Sequence, residues 1–358
     1  PPFARSPEPM PEAEPLSAVF QRLIATYGPI SLLHYMGESN ARYYADKDPL
    51  GAAGDFITAP EISQMFGELV GLWLADIWMR AGSPAPVHYV EMGPGRGTLA
   101  RDALRTMKRV GLEPQVHFVE GSQALRALQA EAVPQAQWHH DLGGVPTDAP
   151  LLLVGNEFLD ALPVRQLVKT AAGWRERMVG WAEDRFRPVA GDKPMDAAVP
   201  ESLKDAPEST LLETCPGAAA VMHELSGRLA AQGGAALLID YGYAEPQTGS
   251  TLQALRAHTK VDPFAMPGEA DLTCLVDFAI LAEIAQSEGA RWQGTVTQGA
   301  FLRALGIEMR AAKLAAAAPD HADAVQRAMD RLIGDDQMGT LFKVMGVAGP
   351  NWPQGAGF

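Results

Sequence analysis

The sequence predicts an α/β protein built on a doubly wound parallel sheet. A strand, a glycine-rich turn and a helix follow one another at residues 87–111, and apolar strand-length runs continue along the chain. Strands that alternate with helical segments favour a parallel sheet with helices on both faces. The runs that predict its strands are VHYVEMG (87–93), QVHFVE (115–120), PLLLVGNEF (150–158), GGAALLIDYG (233–242) and MGTLFKVMGV (338–347).

The chain before this sheet divides into two parts. Residues 1–15 are rich in proline and glutamate, which predicts a disordered lead-in. Residues 16–86 form a predicted helical N-terminal region, since apolar residues recur at helical spacing between Glu61 and Met79. Thr58 and Glu61 stand at capping-box spacing before that helix.

Two insertions interrupt the alternation of strands and helices. The predicted main domain comprises residues 87–162 and 233–348, and residues 163–232 form an insertion of antiparallel strands followed by a helix, suited to binding a substrate or partner. Residues 251–278 have few helix signals, and a long irregular stretch of this kind is often functional.

Composition excludes several classes of protein. The chain has 358 residues, 47% of them hydrophobic, and a formal net charge of −14, which argues against nucleic acid and is compatible with a basic partner. No run approaches the about 18 apolar residues of a membrane span. Its two cysteines fit no metal-ligand spacing, so we expect no metal. We expect a protein of the bacterial cytoplasm, or of the mitochondrial matrix if it is eukaryotic.

The glycines of EMGPGRG indicate the cofactor. A dinucleotide site needs a third glycine at the sixth position from Gly93, where this chain has Thr98. Glycines at 93, 95 and 97, with Glu91 two positions before the first, are instead the pattern associated with S-adenosylmethionine (SAM). The turn leaves bare backbone for this ligand.

Acidic residues after the next strands complete the predicted cofactor site. Glu120 ends the second strand, where a carboxylate can accept both ribose hydroxyls. Asp141, with Leu142 beside it, is placed to meet the adenine. An ordinary strand-end carboxylate and a loop aspartate remain the alternative interpretations.

The segment NEFLDALP (156–163) is the predicted centre of catalysis. Ligands bind outside the carboxyl ends of parallel strands, so Asn156, Glu157 and Asp160 should face the same crevice as the glycine turn. We assign Asn156 to the cofactor. Glu157 and Asp160 could grip a guanidinium and orient its nitrogen for methyl transfer. These residues could instead only cap the next turn.

Several segments together resemble the MidA-like family of SAM-dependent methyltransferases, which includes a mitochondrial complex I assembly factor. The similarity covers most of the chain after residue 15, and the segments that carry it are GDFITAPEISQMFGEL (54–69), VEMGPGRGTLARD (90–102), NEFLDALPV (156–164), IDYG (239–242), PGEADLT (267–273) and VDF (276–278). The resemblance implies a class I methyltransferase fold. It also implies SAM bound by the three glycines and Glu120, and dimethylation of an arginine on a complex I subunit.

The resemblance adds three further candidate residues. It favours a loop at Gly54 and Asp55 that folds over SAM, where the local sequence alone suggests a turn. His258 matches a histidine of the mitochondrial relative, which makes it a possible proton acceptor or substrate contact. A loop histidine without a catalytic role is the alternative.

Three functions are compatible with these residues. The first is a protein arginine methyltransferase that acts on a complex I subunit and supports assembly. The second is a SAM-binding assembly chaperone without essential catalysis, and the third is a methyltransferase that acts on a small molecule. The sequence gives no indication of the oligomeric state.

Overall fold

A computed structural model describes residues 14–46, 57–257 and 259–358 of the chain. Its helices, numbered in chain order, are α1 (Leu16–Tyr27), α2 (Leu32–Asp46), α3 (Ala59–Ile62), α4 (Gln64–Arg80), α5 (Thr98–Lys108), α6 (Gln123–Ala132), α7 (Pro216–Gln232), α8 (Phe278–Ser287), α9 (Gln298–Ala304), α10 (Ile307–Ala317), α11 (Ala322–Ile333) and α12 (Met338–Leu341).

The strands form three sheets. They are β1 (Ile30–Ser31), β2 (His88–Met92), β3 (Gln115–Val119), β4 (Gln137–His139), β5 (Leu151–Asn156), β6 (Arg165–Thr170), β7 (Gly173–Ala182), β8 (Arg185–Pro194), β9 (Leu211–Thr214), β10 (Gly234–Tyr243), β11 (Gln253–Arg256), β12 (Thr259–Val261), β13 (Asp271–Thr273), β14 (Val276–Asp277), β15 (Arg291–Thr297) and β16 (Phe342–Ala348).

The main sheet has the strand order β15-β16-β10-β5-β2-β3-β4, and β14 pairs with β10. Strands β10, β5, β2 and β3 are parallel, as the sequence predicts, and β4 is a further parallel strand that was not predicted. The predicted strand β16 is antiparallel to its neighbours β10 and β15, not parallel as expected, and antiparallel strands are common at the edge of an otherwise parallel sheet. The predicted strand at 338–347 begins later than expected, because residues Met338–Leu341 form the short helix α12.

Helices cover both faces of this sheet, which is the doubly wound arrangement. One core contains side chains of α4, α5, α10 and α11 packed on the sheet, and the other contains side chains of α7 and α8. Strands β2 and β5 are buried along their whole length, as expected for strands covered on both faces. The predicted α/β fold of a class I methyltransferase is therefore confirmed.

The two smaller sheets lie within the predicted N-terminal and inserted regions. The insertion contributes β6, β7, β8 and β9 to a five-stranded sheet that β1 completes by pairing antiparallel with β7. Helix α7, at the end of the predicted insertion, packs in the core of the main sheet. The stretch 251–278 contains β11, β12 and β13, which form a three-stranded sheet.

The long helix predicted from Glu61 to Met79 is divided at Ser63. This residue has extended backbone angles, and its hydroxyl accepts a hydrogen bond from the backbone N–H of Met65, which starts α4. Thr58 makes no side-chain cap hydrogen bond in α3, so the predicted capping box does not form. Among the described residues, none of the helices has the length and apolar character needed to span a bilayer.

Candidate active site

A cavity of about 1190 Å³ opens at the carboxyl ends of β2, β3, β4 and β5. Each of these strands places a polar residue at its rim: Glu91, Glu120, Asp141 and Asn156. Because parallel strands end at the same edge of a sheet, residues far apart in the chain meet here. The predicted glycine turn and the NEFLDALP segment share this cavity, as the sequence predicts.

The glycine turn presents bare backbone to the cavity. Gly93, Gly95 and Gly97 have φ angles of 61°, 55° and 80°, a region that favours glycine. A Cβ atom on Gly93 would lie 2.9 Å from the Phe158 ring, so a side chain there would displace a cavity wall. Gly97 precedes α5, and that helix starts at Thr98, as predicted.

Glu91 is a buried acid beside this turn. Its side chain is 3% exposed, and the Tyr89 hydroxyl donates a 2.5 Å hydrogen bond to its Oε2. Burial raises the pKa of Glu91 to about 8, although the Tyr89 hydrogen bond acts in the opposite direction. Glu91 can therefore change its charge near neutral pH when a cation enters the cavity.

Glu120 is held in place by hydrogen bonds to both of its carboxylate oxygens. Its Oε1 accepts a bond of 2.7 Å from the backbone N–H of Ser122, and its Oε2 accepts one of 3.1 Å from Gln129. The amide of Gln129 also donates to the Gly95 carbonyl at 2.8 Å and accepts from Trp138 Nε1. Gln129 thus joins the predicted ribose acid to the glycine turn.

Asp141 and Leu142 line the cavity together. The Asp141 carboxylate accepts a hydrogen bond of 3.1 Å from the backbone N–H of Gly144, so this residue also caps a short turn. Leu142 is 2% exposed and packs in the core beneath the cavity. The pair gives this end of the cavity an apolar floor with one acceptor at its edge, which suits an adenine ring.

β5 ends at Asn156, and Glu157 follows it directly. Asn156 Nδ2 donates to Glu157 Oε1 at 3.1 Å, and the backbone N–H of Ala59 donates to the same oxygen at 2.8 Å. The buried Asn156 Oδ1 has no hydrogen-bond partner among the described residues and is therefore available to a ligand. Glu157 has a φ of 52°, a left-handed conformation that is uncommon for a non-glycine residue and that recurs at functional sites.

Asp160 belongs to a cluster of acids beside Glu157. Its pKa is raised well above the usual range by burial and by the charges of Asp240, Asp271 and Glu157. Burial, with the nearby Asp240 charge, raises the pKa of Glu157 to about 7. Glu157 is among the described residues that line the cavity, and Asp160 is not. The two predicted clamp residues are thus close neighbours with different access to the cavity.

The segment that follows residue 56 closes one side of the site. Thr58, Pro60 and Glu61 line the cavity, and the Thr98 hydroxyl donates to Glu61 Oε1 at 2.6 Å. Glu61 therefore binds the start of α5 and not its own helix. Gly54, Asp55 and His258, and residues 1–13 of the predicted lead-in, lie outside the described residues.

Two residues that support the site were not assigned a role from the sequence. Asp240 lies near the end of the predicted strand GGAALLIDYG, next to Ile239, which pairs with Asn156 at the end of β5, so its position near that sheet edge could have identified it. Gln129 lies inside α6, and a glutamine within a helix does not by itself indicate a role at a binding site.

The chain is similar to known methyltransferases over most of its length. Residues 69–296 match the family described as S-adenosyl-L-methionine-dependent methyltransferases. The mitochondrial protein arginine methyltransferase NDUFAF7 of Xenopus tropicalis is 36% identical over 90% of this chain and 83% of its own. The NDUFAF7 of Rattus norvegicus is 37% identical over 89% of this chain and 81% of its own.

A solved structure extends the similarity to three dimensions. A Burkholderia thailandensis protein with bound S-adenosyl-homocysteine superposes with a TM-score of 0.79 at 29% sequence identity, covering 93% of this chain and 91% of that one. With a family match across the catalytic domain, relatives along most of the chain and a cavity at the expected edge of the sheet, this chain belongs to the family of S-adenosyl-L-methionine-dependent methyltransferases.

Proposed function

We propose that this enzyme is a protein arginine methyltransferase that dimethylates an arginine of a respiratory complex I subunit and thereby supports assembly of the complex. The observation that carries the proposal is the Glu157 carboxyl group, which lines the SAM cavity inside a cluster of acids. An acidic cluster at the site of methyl transfer suits a cationic acceptor. The arginine methyltransferase names of the relatives support the same substrate.

The residues of the cavity fit SAM. The glycine turn gives space against its backbone, and Glu120 offers carboxylate oxygens for hydroxyl groups. The unpartnered Asn156 Oδ1 offers an acceptor for a donor group, and Glu91 offers a negative charge. We therefore assign cofactor binding to Glu91, Gly93, Gly95, Gly97, Glu120, Asp141, Leu142 and Asn156, with Gly54 and Asp55 as predictions from the resemblance.

When bound, SAM supplies a methyl group activated by its sulfonium. Glu157 Oε1 is occupied by Ala59 and Asn156, and we propose that Oε2 accepts an N–H of the substrate guanidinium. This bond would orient the guanidinium nitrogen that accepts the methyl group. Burial and the neighbouring acids raise the pKa of Asp160 well above its usual range, and a guanidinium bound beside it at Glu157 would favour its ionised form.

Methylation of a guanidinium nitrogen releases one proton. The nitrogen gains a carbon bond and loses an N–H, so the product keeps a single positive charge. A carboxyl group with a pKa near 7 can accept that proton at neutral pH, and burial holds Glu157 in this range. Glu157 thus both orients the nitrogen and receives its proton. His258 remains a predicted second acceptor.

Mass spectrometry of complex I subunits from cells that lack this gene tests the proposal. We expect one arginine to lose its methyl groups, and the intact gene to restore them. The variant Glu157→Gln should not restore them, although its affinity for SAM is retained. Glu131→Gln, at an exposed position of α6, is the matched control and should behave as wild type.

Other outcomes of this experiment, and of an assay with labelled SAM in a cell lysate, support the alternative functions. If Glu157→Gln restores complex I assembly without methylation, the protein acts as a SAM-binding assembly chaperone. If labelled SAM transfers its methyl group only to low-molecular-weight products, the substrate is a small molecule. Either result contradicts the proposed arginine methylation. We place the reaction in the bacterial cytoplasm or the mitochondrial matrix, where complex I subunits are accessible before assembly.

A further inference from the structure

Asp240, near the end of β10, holds the backbone that carries Glu157. Its Oδ2 accepts hydrogen bonds from three successive backbone N–H groups, those of Phe158 at 3.1 Å, Leu159 at 2.8 Å and Asp160 at 3.2 Å. Its Oδ1 accepts a fourth bond from the N–H of Tyr241 at 2.8 Å. The Asp240 side chain is 1% exposed, so these backbone groups take the place of water.

Three consecutive N–H groups converge on one oxygen only when the backbone curves around it. Such a concave arrangement of amides is a binding site for an anion. Glu157 immediately precedes the three amides and has the left-handed φ of 52° that starts the curve. Its own N–H donates to the Ile239 carbonyl at 2.9 Å, next to Asp240 in β10.

We propose that Asp240 is the positioning residue of this active site, because its carboxylate holds residues 157–160 in the conformation that directs Glu157 at the substrate guanidinium. This role rests on the proposed arginine methylation. Asp240 does not line the cavity among the described residues, so it acts through Glu157 and not on the substrate. An uncharged side chain at 240 cannot offer one oxygen with the same negative charge to three donors.

The charge of Asp240 also acts on Glu157. The proximity of two carboxylates disfavours ionisation of either, and Asp240 contributes to the raised pKa of Glu157. The other groups near Glu157 and Asp240 are charged or titratable as well: Asp160, with Asp271 beside it, Tyr241, Arg331 and, paired with Asp240 across the sheet, Lys343. Removal of the Asp240 charge should therefore lower the pKa of Glu157.

Steady-state kinetics of Asp240→Asn test this role, with a peptide that carries the arginine found unmethylated in the deletion strain. We expect kcat to fall on the order of 10²-fold, the usual effect of a displaced catalytic group, while the Kd of S-adenosyl-homocysteine changes little. The acidic limb of the profile of kcat against pH should move to lower pH, because the pKa of Glu157 should fall. A purely structural defect would lower the rate without moving that limb.

Asp277→Asn is the matched control. The Asp277 carboxylate also accepts a backbone N–H, that of Ile280 at the start of α8, and it lies outside the SAM cavity. This variant should keep the wild-type kcat and pH profile. An equal loss of kcat in both variants would contradict a specific role for Asp240.

A double-mutant cycle tests whether Asp240 acts through Glu157. Glu157→Asp keeps a carboxylate on a side chain that is one methylene shorter. We expect a lower kcat, because the carboxylate no longer lies in its proposed catalytic position. Asp240→Asn should then reduce the rate of Glu157→Asp much less than it reduces the rate of wild type. If the loss of kcat in the double variant equals the product of the two single losses to within about twofold, the two residues act independently and the proposal is overturned.

A measurement on the wild-type protein covers the case in which Asp240→Asn does not fold. The amide resonances of Phe158, Leu159 and Asp160 should titrate together in NMR spectra, since burial places the pKa of their shared acceptor at about 7. Amides that do not respond together would overturn the role of Asp240. This titration needs no substrate, so it tests the role of Asp240 even if no methylated arginine is found in cells.

Discussion

The backbone N–H of Ala59 donates a 2.8 Å hydrogen bond to Oε1 of Glu157. The two residues are 98 positions apart, and the bond joins the start of α3 to the end of β5. It stabilises the ionised form of Glu157, because an N–H donor favours a carboxylate over a carboxylic acid. The N-terminal region therefore influences the ionisation of Glu157, the proposed catalytic residue.

We expect Ala59→Pro to weaken catalysis through this single bond. Ala59 is the first residue of α3, a position at which proline is accepted, and Thr58 already has the extended conformation that precedes proline. The variant removes the N–H donor, so the pKa of Glu157 should rise and the acidic limb of the pH profile should move to higher pH. Kinetics as a function of pH measure this shift.

The melting temperature of Ala59→Pro serves as its control, since Ala59 is buried and the proline ring needs space. A folded variant with an unchanged pH profile would show that the Ala59 bond does not affect Glu157.

Gly93→Ala should weaken SAM binding. Its Cβ would lie 2.9 Å from the ring of Phe158, which lines the cavity, so the ring must move, and we expect the altered cavity wall to lower the affinity on the order of tenfold, about 1.4 kcal/mol. Gly111→Ala is the control, because Gly111 also has a positive φ, of 81°, but no described atom within 4 Å of the added Cβ. Calorimetry of SAM binding compares them, and equal affinity in the two variants would contradict the packing argument.

The sequence predicted the parts of the site that depend on backbone and strand order. Gly93 and Glu120 follow from local patterns, since a turn with positive φ needs glycine and a strand end places its acid at a fixed edge. The bond between Ala59 and Glu157 could not be predicted, because it depends on how α3 packs against β5. Gln129 was also missed, since its three partners come together only in the folded protein.

The positions of the main strands along the chain were predicted for a similar reason, whereas their order in the sheet was not predicted. Buried apolar runs such as β5 (151–156) carry a strong local signal. The sequence predicts a strand at Met338–Leu341, where the structure has a helix, because a short apolar run has no clear period. The antiparallel direction of β16 is set by its pairing with β10 and β15, which local sequence does not record.

We expect the affinity for SAM to rise with pH more steeply than the affinity for S-adenosyl-homocysteine. Burial raises the pKa of Glu91 to about 8, so the acid is largely protonated in the empty cavity at neutral pH. SAM carries a sulfonium cation that its product lacks, and a nearby cation favours ionised Glu91 with release of a proton. Between pH 6 and 8 the preference for SAM should therefore grow, by up to about tenfold per pH unit.

Calorimetry in buffers of different ionisation enthalpy measures that proton release directly. Glu91→Gln removes the titrating group, and its preference for SAM should be independent of pH in this range. If the wild-type preference is equally flat, Glu91 does not respond to the cofactor charge.

A chain of three histidines crosses the main sheet and should make stability fall in acid. His88 Nε2 lies 2.9 Å from the Asp148 carboxylate. Each ring nitrogen of His117 lies 3.0 Å from another histidine: Nε2 from Nδ1 of His88, and Nδ1 from Nε2 of His139. His88 and His117 are fully buried. Burial first, and then the neighbouring histidines, lower the pKa of His117 to about 4.

The sign of the effect follows from proton counting. In the unfolded chain His117 binds a proton below about pH 6.5, whereas in the folded protein it stays neutral down to about pH 4, so the unfolded state binds more protons between these values. The contribution of His117 to stability is present above pH 6.5 and declines as the pH falls to 4.

Urea unfolding at several pH values, compared between wild type and His117→Phe, isolates this contribution from that of the buried acids. His117→Phe should lose less stability than wild type between pH 6.5 and 4, and parallel curves for the two proteins would show that His117 is protonated in the folded state.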